Sequence, residues 1–106
     1  MAGWRLCRVS WDRTGHRPVA HVTGDVDADA YELVTAIITV ADATAPRLLE
    51  VDLAGVTFVD VAGLDQLIRL AAVDNLQVQR ASPVIVSLLE RLGLDVIPGA
   101  SVDELQ

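Results

Sequence analysis

The stretch Leu48-Leu49-Glu50-Val51-Asp52-Leu53-Ala54-Gly55-Val56-Thr57-Phe58-Val59-Asp60-Val61-Ala62-Gly63-Leu64 decides the fold. Leu48 to Leu53 is short and apolar, the pattern of an interior strand covered on both faces. Gly55 to Asp60 reads as a turn region. From Val61 to Ala72, Leu64, Leu67, Ile68 and Ala71 recur at helical spacing, with Asp65 and Arg69 left to solvent.

Working outward, Arg5 to Trp11 sets Cys7, Val9 and Trp11 against Leu6, Arg8 and Ser10, a period of two that predicts a half-buried strand. Asp12 to Gly15 reads as a turn, and Pro18 to Thr23 as the second arm of a hairpin. Gly24-Asp25-Val26-Asp27 breaks the pattern. Ala30, Leu33, Val34, Ile37, Ile38 and Ala41 then mark a helix, with Asp29 as its N-cap and Glu32 completing a capping box. Pro46 bounds the next loop. Leu76 to Arg80 reads as a strand, and Ser82-Pro83 as a helix start, a hydroxyl cap followed by a proline whose missing N–H costs nothing there. Val84, Ile85, Leu88, Leu89 and Leu92 supply that helix's apolar stripe, which Gly93 ends. A last strand is expected near Val96-Ile97, and a frayed cap at Ser101 to Glu104. The order of elements predicts an α/β fold: one domain across residues 1–106, a mixed sheet of four to five strands with helices packed on it.

The 106 residues suffice for one core, and 52% hydrophobic against 22% charged residues excludes extended disorder. The net charge is -7, and the cations are all arginine. Such a balance argues against a nucleic-acid backbone or an anionic membrane as partner. No run of about eighteen apolar residues encodes a membrane span. The single cysteine, Cys7, excludes an internal disulfide or a thiolate zinc cluster and fits a reducing, cytoplasmic compartment.

Two loops, Gly24 to Asp27 and Gly55 to Gly63, each precede a helix, so free N–H groups and positive dipole ends point to one side of the molecule. Asp25 and Asp27 read as solvated or capping carboxylates, because no histidine or nucleophile completes a catalytic set beside them. Asp60 serves as a helix cap, with or without a recognition role. His16 and His21 have no companion ligand at a metal-binding spacing, so no metal site is expected. Cys7 reads as a small core residue, Thr57 as a loop hydrogen-bonding residue, and Trp4 and Trp11 as packing residues. The chain has neither a phosphate-loop motif nor a lysine, which disfavours a small nucleotide-binding enzyme; no cofactor is expected.

Gly24-Asp25-Val26-Asp27, then Val51 to Leu64, then Ala81-Ser82-Pro83 and Leu92-Gly93-Leu94, resemble in that order the STAS domain of bacterial anti-sigma factor antagonists. The resemblance spans about residues 18–97. It implies a non-enzymatic interaction module that binds an anti-sigma factor of the GHKL serine-kinase type and so regulates transcription, with a homodimer as a further expectation. In that family a serine at the start of the second helix is phosphorylated, within the sequence Asp-Ser-Ser-Gly. This chain has Asp60-Val61-Ala62-Gly63, so Ala62 stands at the acceptor position and the usual switch lacks an oxygen to act on. The resemblance places the partner surface at Asp25, Asp27, Thr57, Asp60, Val61, Ala62, Gly63 and Leu64, centred on Ala62 and Leu64. Small STAS proteins also resemble regulatory subunits of lipid-transport ABC ATPases, which is the alternative.

Overall fold

The computed structural model describes residues 6–93. Trp4, the strand expected near Val96-Ile97 and the cap expected at Ser101 lie outside them. Four strands and three helices alternate after an initial hairpin: β1 (Arg8–Asp12), β2 (Val19–Val26), a 3₁₀ turn (Ala28–Ala30), α1 (Tyr31–Thr44), β3 (Leu49–Val59), α2 (Val61–Ala71), β4 (Leu76–Ala81) and α3 (Pro83–Leu92). The sheet order is β1-β2-β3-β4. The hairpin strands are antiparallel, and β2, β3 and β4 run parallel. This is the mixed α/β architecture that the order of elements predicts.

Asp12 makes the hairpin turn by accepting from the Thr14 amide at 2.9 Å and the Thr14 hydroxyl at 2.6 Å. β2 runs through Gly24, Asp25 and Val26, where the sequence reads as a loop, because these residues pair with the end of β3. β3 departs from expectation in the same way. It continues through Gly55 to Val59, where the sequence reads as a turn. Gly55 is there because β2 lies close: a Cβ at this position would sit 2.6 Å from Thr23 Cγ2. The glycine thus serves strand pairing, and register shifts near His21 and Gly24 absorb the irregularity.

The helix starts also differ in detail. Asp27, not Asp29, is the first cap, its Oδ1 accepting from the Asp29 amide at 2.9 Å. Interposing the 3₁₀ turn moves α1 to Tyr31, so Glu32 falls in its first turn and no capping box forms. Ser82 stands at the N-cap of α3, but its hydroxyl is buried without a hydrogen-bond partner and does not cap. Gly93 ends that helix in the left-handed region, at φ +67°.

One core joins the helices to the sheet, drawing on Ala20, Val22 and Val26 of β2, Leu49, Val51, Leu53 and Val56 of β3, and the inner stripes of α1, α2 and α3. Ile37, Leu67, Leu70 and Ile85 are its large members on the helices. In α3 the inward residues are Ile85, Val86 and Leu89, whereas Val84 and Leu92 are exposed and Leu88 is half-buried. The helix is rotated so that Val86 takes an inward position, which turns part of the expected stripe outward. Ile68 of α2 is likewise exposed. Arg69 is not free in solvent. Its guanidinium donates to Gln66 at 2.7 Å and to the Thr35 hydroxyl at 2.8 Å, and lies 4.3 Å from the centre of the Tyr31 ring, tying α1 to α2.

On the opposite side of the sheet, Ser10, His21, Asp52 and Arg80 form one cross-strand row. Asp52 is buried and accepts from Arg80 Nη2 at 2.7 Å and the Ala54 amide at 2.9 Å, with His21 Nδ1 at 3.0 Å. Burial alone would raise its pKa. The Ala54 amide, the hydrogen bond and charge of Arg80, and His21 outweigh that cost and hold the carboxyl below its ordinary value.

Truncating fully buried Leu53 or Leu67 to alanine should cost roughly 2–5 kcal/mol by the sum of lost transfer and cavity terms. Half-buried Leu88 should cost less, and urea melts of the three variants would rank them. A lowered carboxyl pKa stabilises the fold above the unfolded value and loses that contribution as pH falls through the folded value. Melting temperatures from pH 7 to pH 2 should therefore fall more steeply below about pH 4 in the wild type than in Asp52→Asn.

Candidate functional site

Parallel β2, β3 and β4 deliver their carboxyl ends to one edge of the molecule, where the Asp27-capped turn, α2 and α3 all begin. In sheets of this kind ligands and partners gather at that edge. Two contacts fix its geometry. Asp60 Oδ1 accepts from the Gly63 amide at 2.7 Å while its own carbonyl accepts from the Leu64 amide at 2.8 Å, closing the first turn of α2. Thr57 Oγ1 donates to Asp25 Oδ1 at 3.1 Å, which joins β3 to β2 just below.

Gly63 is buried against β2, and a Cβ there would collide with the Val26 carbonyl oxygen. The first turn of α2 therefore rests directly on the end of β2. Its N1 residue, Val61, is thrust outward and is 82% exposed. Ala62 and Leu64 are only half-buried and Gly63 is enclosed, so the outermost side chain of the helix start is Val61 rather than Ala62 or Leu64. Phe58, 48% exposed and in register with Asp25, adds an aromatic ring to the same edge. Sequence reasoning missed Phe58 because its region reads as a turn; alternation along an extended β3 would have found it.

The site residues named from sequence thus come together around Asp25, Asp27, Thr57 and Asp60, with Gly63 and Leu64 as their support. Among the described residues, no cation forms a salt bridge with Asp25, Asp27 or Asp60. The edge combines exposed apolar side chains and helix N-termini with carboxylates that are hydrogen-bonded but, among the described residues, have no cationic partner. Cys7 lies nearby, half-buried; burial first, then the charges of Asp27 and Asp25, push its thiol pKa up, which suits a packed, protonated residue.

A Ser-His-Asp sequence does occur in space, since Ser10, His21 and Asp52 share a row that sequence order hides. It lies on the other face of the sheet. Among the described residues no hydrogen bond joins Ser10 to His21, and Asp52 is engaged by Arg80 and the Ala54 amide as well as by His21. The row therefore acts as a cross-strand tie. Among the described residues, no group of three His, Cys, Asp or Glu side chains is arranged to hold a metal ion, and no helix is long and apolar enough to cross a membrane.

The family model described as "Mlab, STAS domain" matches residues 9–99. Among solved structures, an anti-sigma factor antagonist from Mycobacterium paratuberculosis is similar, with a TM-score of 0.68 and 25% identity over 92% of this chain and 88% of that one. The unphosphorylated form of the anti-sigma factor antagonist SpoIIAA has a TM-score of 0.58 and 17% identity over 82% of each chain, a likeness of fold. No curated protein matches significantly. The strand order, the three helices and the family match over most of the chain agree, and the chain belongs to the STAS domain family.

Proposed function

We propose that this chain is a non-enzymatic interaction module of the anti-sigma factor antagonist type, which binds a GHKL-type anti-sigma factor through the start of α2. The observation that carries the reading is Val61. With Phe58, 48% exposed on the same edge, it makes an apolar patch of which Val61 is the most prominent member, 82% exposed at the first position of a capped helix and bordered by Asp25, Asp27 and Asp60; such a patch suits a partner that buries it. The antagonist fold of a solved relative at 25% identity supports the same assignment.

In this reading Ala62 occupies the position of the family's phosphoacceptor serine. A methyl group offers no oxygen to a phosphoryl donor, so binding is not switched off by the usual addition of roughly -1.5 to -2 charge at this site. The module is constitutively competent, or is controlled at the level of its partner. The alternative is a regulatory STAS subunit of a lipid-transport ABC ATPase. Affinity capture from the native cell separates the two, because a GHKL-type kinase or a transporter ATPase would be the protein recovered.

Two substitutions test the surface. Val61→Asp and Ala62→Asp each add a carboxylate in the first turn of α2, where the helix dipole favours it by about 0.3–1 kcal/mol, so thermal melts should remain close to wild type. The dissociation constant of the anti-sigma factor should rise by about tenfold or more, since the new charge meets existing carboxylates and an interface shaped for apolar groups. Unchanged affinity in both folded variants would remove the start of α2 from the interface. After incubation with the kinase and ATP, mass spectrometry should map phosphate to position 62 in Ala62→Ser and leave positions 61 and 62 of the wild type unmodified.

A further inference from the structure

Beside the start of α2, a shallow groove of about 450 Å³ runs between the end of β3 and α3, lined by Phe58, Val59, Val84, Leu88 and Arg91 among others. Phe58 and Val84 are 48% and 38% exposed, so its apolar walls are accessible. Charge is distributed unevenly along it. Just outside the lining at one end, Asp25, which accepts from Thr57, is in register with Phe58, and Asp60, the cap of α2, follows Val59; neither forms an ion pair among the described residues. α3 begins at this end and runs back along the sheet. Arg91, eight residues after Pro83, is thus carried about 12 Å away, with Nη2 3.2 Å from the Ser87 hydroxyl.

An apolar trough bordered by carboxylates at one end and lined by a cation at the other is complementary to an α-helix in one orientation. We infer that the groove receives an amphipathic helix of the partner protein. Its apolar stripe covers Phe58, Val84 and Leu88; its N-terminal end, with basic side chains, faces Asp25 and Asp60; its C-terminal end faces Arg91. This rests on the interaction-module reading and extends that surface from α2 to α3, fixing both the chemistry and the direction of the docked segment.

The test uses the full chain and the anti-sigma factor, with dissociation constants from calorimetry and thermal melts as folding controls. Val84 is the second residue of α3, where an added carboxylate is tolerated by the helix dipole, so Val84→Asp should fold and bind about tenfold or more weakly. Arg91→Glu should weaken binding about three- to tenfold at low salt, and Arg91→Gln by less. If Val61→Asp weakens binding while Val84→Asp and Arg91→Glu bind like the wild type, the groove is excluded and the start of α2 stands. Wild-type affinity in all of these variants, or no binding by the wild type, overturns both readings. Nuclear Overhauser contacts in the free protein from Val84 and Leu88 methyls to Leu94, Val96 or Ile97 would give the groove to the chain's own end instead. Sedimentation showing self-association that Val84→Asp abolishes would give it to a second copy. Either result overturns the proposal.

Discussion

The arrangement of the carboxyl edge depends on one close approach, that of the Gly63 backbone to the Val26 carbonyl oxygen. With no Cβ at position 63, α2 can begin directly on the end of β2, and its first turn is then closed by the Asp60 carboxylate. Any larger residue must push the helix off the strand or bend the strand away. Either movement would open the core beneath Val26 and Leu67, both almost wholly buried. The same approach leaves Val61 nowhere to go but outward, so the packing constraint and the exposed apolar residue have a single cause.

Helices and most strands were legible in the sequence because their signals are local. Periodicity marks α1 and α2, and the Ser82-Pro83 and Gly93 boundaries bracket α3 correctly. What was hidden depends on neighbours in space. Gly55 and Thr57 resemble turn residues, yet one makes room for Thr23 and the other bonds Asp25 across the sheet. The cap at Asp27 could not be told from one at Asp29, since both precede an apolar run and only the interposed 3₁₀ turn distinguishes them. Rotation of α3, which leaves Leu88 half-buried, is a matter of how the helix packs and not of which residues it contains.

The candidate site divides in the same way. Its carboxylates and the Asp60 to Leu64 turn could be picked out in the sequence, although Asp25 lies near the end of β2 and not in a loop. Degree of exposure could not, because Ala62, Gly63 and Leu64 differ from Val61 only through contact with β2. Phe58 was obscured by the misread end of β3, and with it the groove against α3. The proposed binding surface draws on three elements distant in sequence, and periodicity within one element carries no information about it.

The cross-strand row on the other face of the sheet bears on how such a chain can change over generations. One carboxylate, Asp52, serves two basic partners on two neighbouring strands. Losing it leaves the exposed His21 and Arg80 side chains to water, whereas losing either base leaves the buried carboxylate with fewer donors against the cost of burial. The three positions are therefore energetically coupled, and exchange of this charged row for an apolar one costs least when all three are replaced together.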